Sequence, residues 1–190
     1  MGIRDRASRL AEIFTPHALV LSYHQVGRRS PDPLHVSVPE ELFAAQMEEL
    51  RRAWNPLSLD ALVQGLARGN LPRRSVAVTF DDGYAGVLSI ALPILERFHI
   101  PATVFVSSGY WNGKTEFWWD DLQRIVWESK TEPAAWKQLS DDVRMRFYPG
   151  MPREDAFGIL HYEMRSLPPD EILAEVDRIR RQARRKDTPP

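Results

Sequence analysis

Thr79-Phe80-Asp81-Asp82-Gly83-Tyr84 follows directly on the apolar run Val76-Ala77-Val78. Two adjacent carboxylates in that position are not core residues, because burying an unpaired ionised carboxylate is prohibitively costly. They need water, a metal or a substrate. Val, Thr and Phe favour an extended backbone, and Gly83 frees the turn that follows. A strand ending in this way delivers both side chains to the carboxyl edge of a sheet, where α/β proteins keep their sites.

Working outward, Ala18-Leu19-Val20-Leu21-Ser22-Tyr23 is short, apolar and rich in sheet-favouring residues, and reads as a buried strand that stops at His24. From Pro39, Phe43, Met47, Leu50 and Trp54 recur at helical spacing, with Glu40 and Glu41 in the first turn to suit the helix dipole. Ser58-Leu59-Asp60 caps a second, short helix that runs to Gly69, and Leu71-Pro72 leads into the strand ending at Phe80. Beyond the aspartates, Leu88, Ala91, Leu95 and Phe98 mark a third helical face, interrupted mildly at Pro93. Residues 18–106 therefore alternate strand, helix, strand, helix, strand. That is the pattern of an α/β fold with a parallel sheet and covering helices.

Thr-Phe-Asp-Asp-Gly-Tyr, followed by a short helix and then Ile100-Pro101-Ala102-Thr103-Val104-Phe105-Val106, resembles the polysaccharide deacetylase family (NodB homology, carbohydrate esterase 4). The resemblance implies a distorted (β/α) barrel, with residues 18–110 as its N-terminal part and 1–17 as an extension before it. It implies Asp81 as the catalytic base and Asp82 as a ligand to a divalent metal, with zinc the expected ion. In a subset of the family a Tyr-His pair ahead of the aspartates supplies the general acid. Tyr23-His24 is similar to that pair, which carries the role to His24. The implied reaction is metal-dependent hydrolysis of the amide C–N bond of N-acetylated sugars in a polysaccharide or glycan, with carbohydrate as the partner. The substrate-binding residues are not identified by the sequence. A haloacid dehalogenase phosphatase would separate its two aspartates by one residue, and these are contiguous.

After Gly109 the character changes. Trp111, Trp118, Trp119, Trp127 and Trp136 crowd together, and no convincing strand follows. Phe117-Trp118-Trp119-Asp120-Asp121-Leu122 begins a helix whose Trp118, Leu122 and Ile125 share a face. Pro168-Pro169-Asp170-Glu171 begins another, carrying Ile172, Val176, Ile179 and Ala183. Residues 111–186 are similar to a helical insertion found in some of these deacetylases. Trp118 and Trp119 offer flat faces for sugar rings, but helical periodicity already accounts for Trp118 as a packing residue. Asp120 and Asp121 read as first-turn helix acids, and His99 and His161 as structural or exposed.

The resemblance also implies two metal-binding histidines in one compact motif, and His17, His24, His35, His99 and His161 contain no such pair. The barrel is not completed by the strands recognised here, and the metal site is incomplete. Truncation is the simplest account, beside a degenerate relative or completion by another chain. An unpaired sheet edge makes an oligomer or a completing chain the natural partner. The reading from a different class is a non-catalytic carbohydrate-binding or interaction remnant of a deacetylase, with the tryptophans as its contact surface.

At 190 residues, 43% of them hydrophobic, the chain suffices for one well-buried domain with an appendage. A net charge of −1 gives no global attraction to nucleic acid or an anionic membrane. The basic end of the last helix, from Arg178 to Lys186, is balanced by Asp170, Glu171, Glu175 and Asp177 at its start, as the dipole favours. No run approaches the ~18 apolar residues of a membrane span. Arg4, Asp5, Arg6, Arg9 and Glu12 break the first segment, so it lacks a signal-peptide core and the sequence as written points to the cytoplasm. The absence of cysteine excludes disulfides and thiolate metal sites.

Overall fold

The computed structural model describes residues 18–110, 116–132 and 146–183, which fall into two compact units divided between Ser108 and Gly109. The first is α/β. Strand β1 (Ala18–Tyr23) lies parallel to β5 (Ser75–Phe80), from Ala18 opposite Ser75 to Tyr23 opposite Phe80. Every residue of β5 is buried, as expected of a central parallel strand. Its other edge is shared. The two-residue β4 (Asn55–Pro56) pairs with Ser75 and Val76, and β6 (Ala102–Val104) takes over at Val78, Thr79 and Phe80. Two further short segments, β2 (Gln25–Val26) and β3 (Ser37–Val38), form a separate parallel pair.

Helix α1 (Glu40–Ala53) buries Phe43, Met47 and Leu50, the periodic face read from the sequence. In α2 (Leu59–Ala67), the Ser58 side chain accepts a hydrogen bond from the Ala61 amide, so the expected cap forms. The unit's core joins these faces to Val76, Val78 and Phe80 of β5 and to Val26, Val87, Ala91, Leu95 and Ile100.

Four expectations need correction. Strand β1, read as buried, has no buried residue and leaves Val20 53% exposed, because among the described residues it pairs with β5 on one side only and lies at the sheet's edge. Among the described residues the sheet has four strands rather than three; β4 escapes a reading by periodicity because two residues ending in proline carry none. The third strand is also shorter than its apolar run. Finally, Leu88 is 72% exposed, while Val87 is buried to 4%. Residues Val87–Ala91 form a π-helical turn, with the Leu92 amide donating to the Val87 carbonyl, before α3 (Leu92–Phe98) begins. The wider turn shifts the face by one residue, and Pro93, which has no N–H, follows it.

Among its described residues the second unit holds three helices: α4 (Trp118–Glu128), α5 (Arg153–Met164) and α6 (Pro169–Ala183). Helix α4 packs against both others. Leu122, Ile125 and Val126 of α4, Phe157 and Leu160 of α5, and Ile172, Val176 and Ile179 of α6 are buried, so the expected faces of α4 and α6 form. Arg153 donates to the carbonyl oxygens of Val126, Trp127 and Ser129, supplying the cationic donors that the end of α4 lacks. Asp121 is paired with Arg124 of its own helix and Arg180 of α6, a bridge beyond the first-turn role read from the sequence. No strand occurs after β6 among the described residues. The N-terminal extension 1–17, Trp111, Trp136 and the basic residues 184–186 lie outside the described residues.

Candidate active site

The site is built at the carboxyl ends of β1 and β5. Because the strands are parallel and Tyr23 pairs with Phe80, His24 and Asp81 are the next residues on each, so both leave the sheet at one edge. The Asp81 amide extends the ladder by one rung, donating to the Tyr23 carbonyl at 2.8 Å. Below this rung three rings lock the strand ends together. Tyr23, Phe43 and Phe80 lie with centroids 5.2 to 5.9 Å apart, a geometry in which aromatic pairs attract. The Tyr23 hydroxyl donates to Gln46 Oε1 at 3.0 Å, and burial raises its pKa, so it stays a neutral donor.

The turn after Asp81 is tightly specified. Asp82 has φ +69° and Gly83 φ +84°, two successive residues in the left-handed region. Aspartate is among the few side chains that tolerate this region, and glycine enters it freely. The Gly83 amide donates to the Asp81 carbonyl at 2.8 Å. The segment after β6 closes over the turn: the Phe105 amide donates to the Phe80 carbonyl at 2.7 Å, and the Ser107 amide to the Asp82 carbonyl at 3.4 Å. A side chain at Gly83 would press on Val106 Cγ1 at 3.3 Å, a second reason for glycine there.

The two carboxylates are held differently. Ser22 Oγ donates to Asp81 Oδ2 at 2.6 Å, a short charge-assisted bond. Ser107 Oγ reaches Asp82 Oδ1 at 3.4 Å, a long and therefore weak contact. Both aspartates and His24 are half-buried, accessible to a small reactant yet shielded enough for electrostatics to count. Sequence reasoning misses Ser22 and Ser107. The only hint of Ser22 is a hydroxyl inside an otherwise apolar strand, and its partner lies 59 residues away.

A zinc site takes three or four protein ligands. Among the described residues no group of three His, Cys, Asp or Glu is placed to hold a metal ion, so the donors present beside Asp82 do not fit a complete site. Elsewhere, Trp118 stacks on His161 at 5.1 Å, and Trp119 on Phe117 at 4.7 Å and 5°. Each ring thus has one face engaged within the helical unit. His161 also stacks on Phe157 at 5.5 Å; burial first, and then the Arg165 charge, lowers its pKa.

The family model described as polysaccharide deacetylase matches residues 68–185, which include the Asp81-Asp82 turn and helices α4, α5 and α6. The poly-beta-1,6-N-acetyl-D-glucosamine N-deacetylase of Escherichia coli K12 is 35% identical over 153 residues, covering 75% of this chain and 22% of that protein. The protein of the same name from Staphylococcus epidermidis is 32% identical over 115 residues, covering 53% of this chain and 39% of that one. The chain thus spans 22% and 39% of the lengths of these two relatives. The solved Streptococcus pyogenes deacetylase PplD in complex with acetate is 19% identical, with a TM-score of 0.47 over 86% of this chain and 80% of that one. By a family match that runs from before the paired aspartates to the last helix, the chain belongs to the polysaccharide deacetylase family.

Proposed function

We propose that this chain carries the base and the general acid of a deacetylase that removes acetyl groups from N-acetylglucosamine units of a polysaccharide. The observation that carries the reading is the shared edge of β1 and β5, where His24 and the hydrogen-bonded Asp81 leave adjacent strands together. The relatives named for poly-β-1,6-N-acetyl-D-glucosamine support the choice of substrate class.

In this reading Asp81 takes a proton from a water as the water oxygen bonds to the acetyl carbonyl carbon. When the tetrahedral adduct collapses, the C–N bond breaks, and protonated His24 gives its proton to the departing nitrogen. The products are a free amino sugar and acetate, and the proton held by Asp81 returns to His24. Asp82, beside the base, would be a ligand to a divalent ion, with zinc the expected ion. Among the described residues no group of three such donors is placed to hold the ion.

That shortage of donors favours a second reading, a carbohydrate-binding remnant without turnover. A β-1,6-linked N-acetylglucosamine oligomer incubated with the chain and excess zinc separates the two. Acetate and free amine released in equal amounts support the enzyme. An oligomer that binds and releases no acetate leaves the chain a binding module.

A further inference from the structure

We propose that Ser22 is the positioning residue of Asp81, fixing which carboxylate oxygen is free to take the proton. The inference rests on Asp81 being the base, as above, but its central observation stands independently of turnover.

Asp81 is tied at two points to the same strand. Its amide donates to the Tyr23 carbonyl at 2.8 Å, and its Oδ2 accepts from Ser22 Oγ at 2.6 Å. The first bond fixes the main chain. The second fixes the side-chain torsions, because a carboxylate held by one oxygen cannot rotate without breaking that bond. A hydroxyl has a single hydrogen to donate. With that hydrogen on Oδ2, Oδ1 is left as the oxygen turned to a reactant.

Ser22 is well placed for this task. It sits opposite Thr79 in the β1–β5 register, one residue before the ring-locked Tyr23. The Thr79 hydroxyl donates to the Leu21 carbonyl at 3.0 Å, so the strand carrying Ser22 is itself pinned to β5 beside the site. Ser22 is also exposed, so its hydroxyl does not serve to satisfy a buried polar group. Reactive groups held in the productive geometry react faster, and a misplacement of about 1 Å costs up to ~100-fold in rate.

The test uses the whole chain labelled with carboxyl-13C aspartate. The Asp81 resonance is assigned by its loss in Asp81→Asn and followed at one fixed pH. Ser22→Ala is expected to move it, and Ser22→Thr, which keeps the hydroxyl, to return it towards the wild-type position. Kinetics on an N-acetylglucosamine oligomer should then show kcat reduced by about 10- to 100-fold in Ser22→Ala with KM unchanged. Ser22→Thr should recover most of that loss. A resonance unmoved by Ser22→Ala overturns the proposal, as does a change confined to KM. If no variant, wild type included, releases acetate, the functional reading fails and the carboxyl resonance alone decides the positioning.

Discussion

Gly86→Ala adds one methyl group where the first unit has no room for it. Gly86 has φ −59° and ψ −22°, an ordinary right-handed conformation, so alanine meets no backbone strain there. On propensity alone the change would stabilise by about 1 kcal/mol. Space decides otherwise: a Cβ at position 86 would lie 2.2 Å from the Val26 carbonyl oxygen and 3.3 Å from its carbon. Real contacts of this kind rarely fall below 3.0 Å, so β2 or the π-helical turn must move by roughly 0.8 Å. Both are backbone, and Val26 is buried, so neither yields as a flexible side chain would. Overpacking of this kind costs about 1–3 kcal/mol. Gly158→Ala is the matched control. Gly158 lies in α5 with nothing within 4 Å of the place an added methyl would take, so the same substitution should stabilise its unit by about 0.5–1 kcal/mol. Amide hydrogen exchange, read on β5 for the first unit and on α5 for the second, measures each effect separately. Protection of β5 that is unchanged or increased in Gly86→Ala would refute the close approach of the turn to β2.

The helical unit should lose stability in acid through His161. Its folded pKa is lowered by burial and by Arg165, so below the ordinary value of 6.5 the unfolded chain binds the proton more readily. Stability is therefore full above 6.5 and is lost as pH falls from there through the lowered folded pKa. Exchange protection of α5 measured at about pH 7.5 and about pH 5 should show this loss, and His161→Phe, which keeps a ring between Trp118 and Phe157, should abolish it. His24→Ala should depress the rate on an acetamido sugar by about 100-fold or more, and far less on an activated acetate ester, whose leaving group needs little protonation. Equal losses on both substrates would remove His24 from the role of acid.

The strands and helices with strong periodicity are legible in the amino-acid sequence. β1 and β5 follow from their short runs of apolar, sheet-favouring residues, and the buried faces of α1 and α6 from side-chain spacing, because burial on one face of a helix writes that spacing into a sequence. β4 is not legible, since it is held by main-chain bonds from Asn55 and Leu57 to Arg74 and Val76, which any side chain permits. The exchange of Leu88 for Val87 on the buried face is hidden for a related reason. A π-helical turn changes the period that a helical reading assumes. At the site, the Asp81-Asp82-Gly83 turn announces itself by composition, whereas Ser22 and Ser107 act through spatial neighbours with no local signal. His161 reads as structural or exposed, because its stacking partners Trp118 and Phe157 come from another helix and another turn and leave no mark beside it.

Asp81→Asn isolates the role of Asp81 as base, because it preserves size and hydrogen-bond acceptance from Ser22 while removing the basic carboxylate. The measurement is acetate released per molecule of protein from an N-acetylglucosamine oligomer with excess zinc, wild type beside variant. Release is expected to fall roughly 100-fold or more with oligomer binding retained. Acetate release within a few-fold of wild type would remove Asp81 from the role of base.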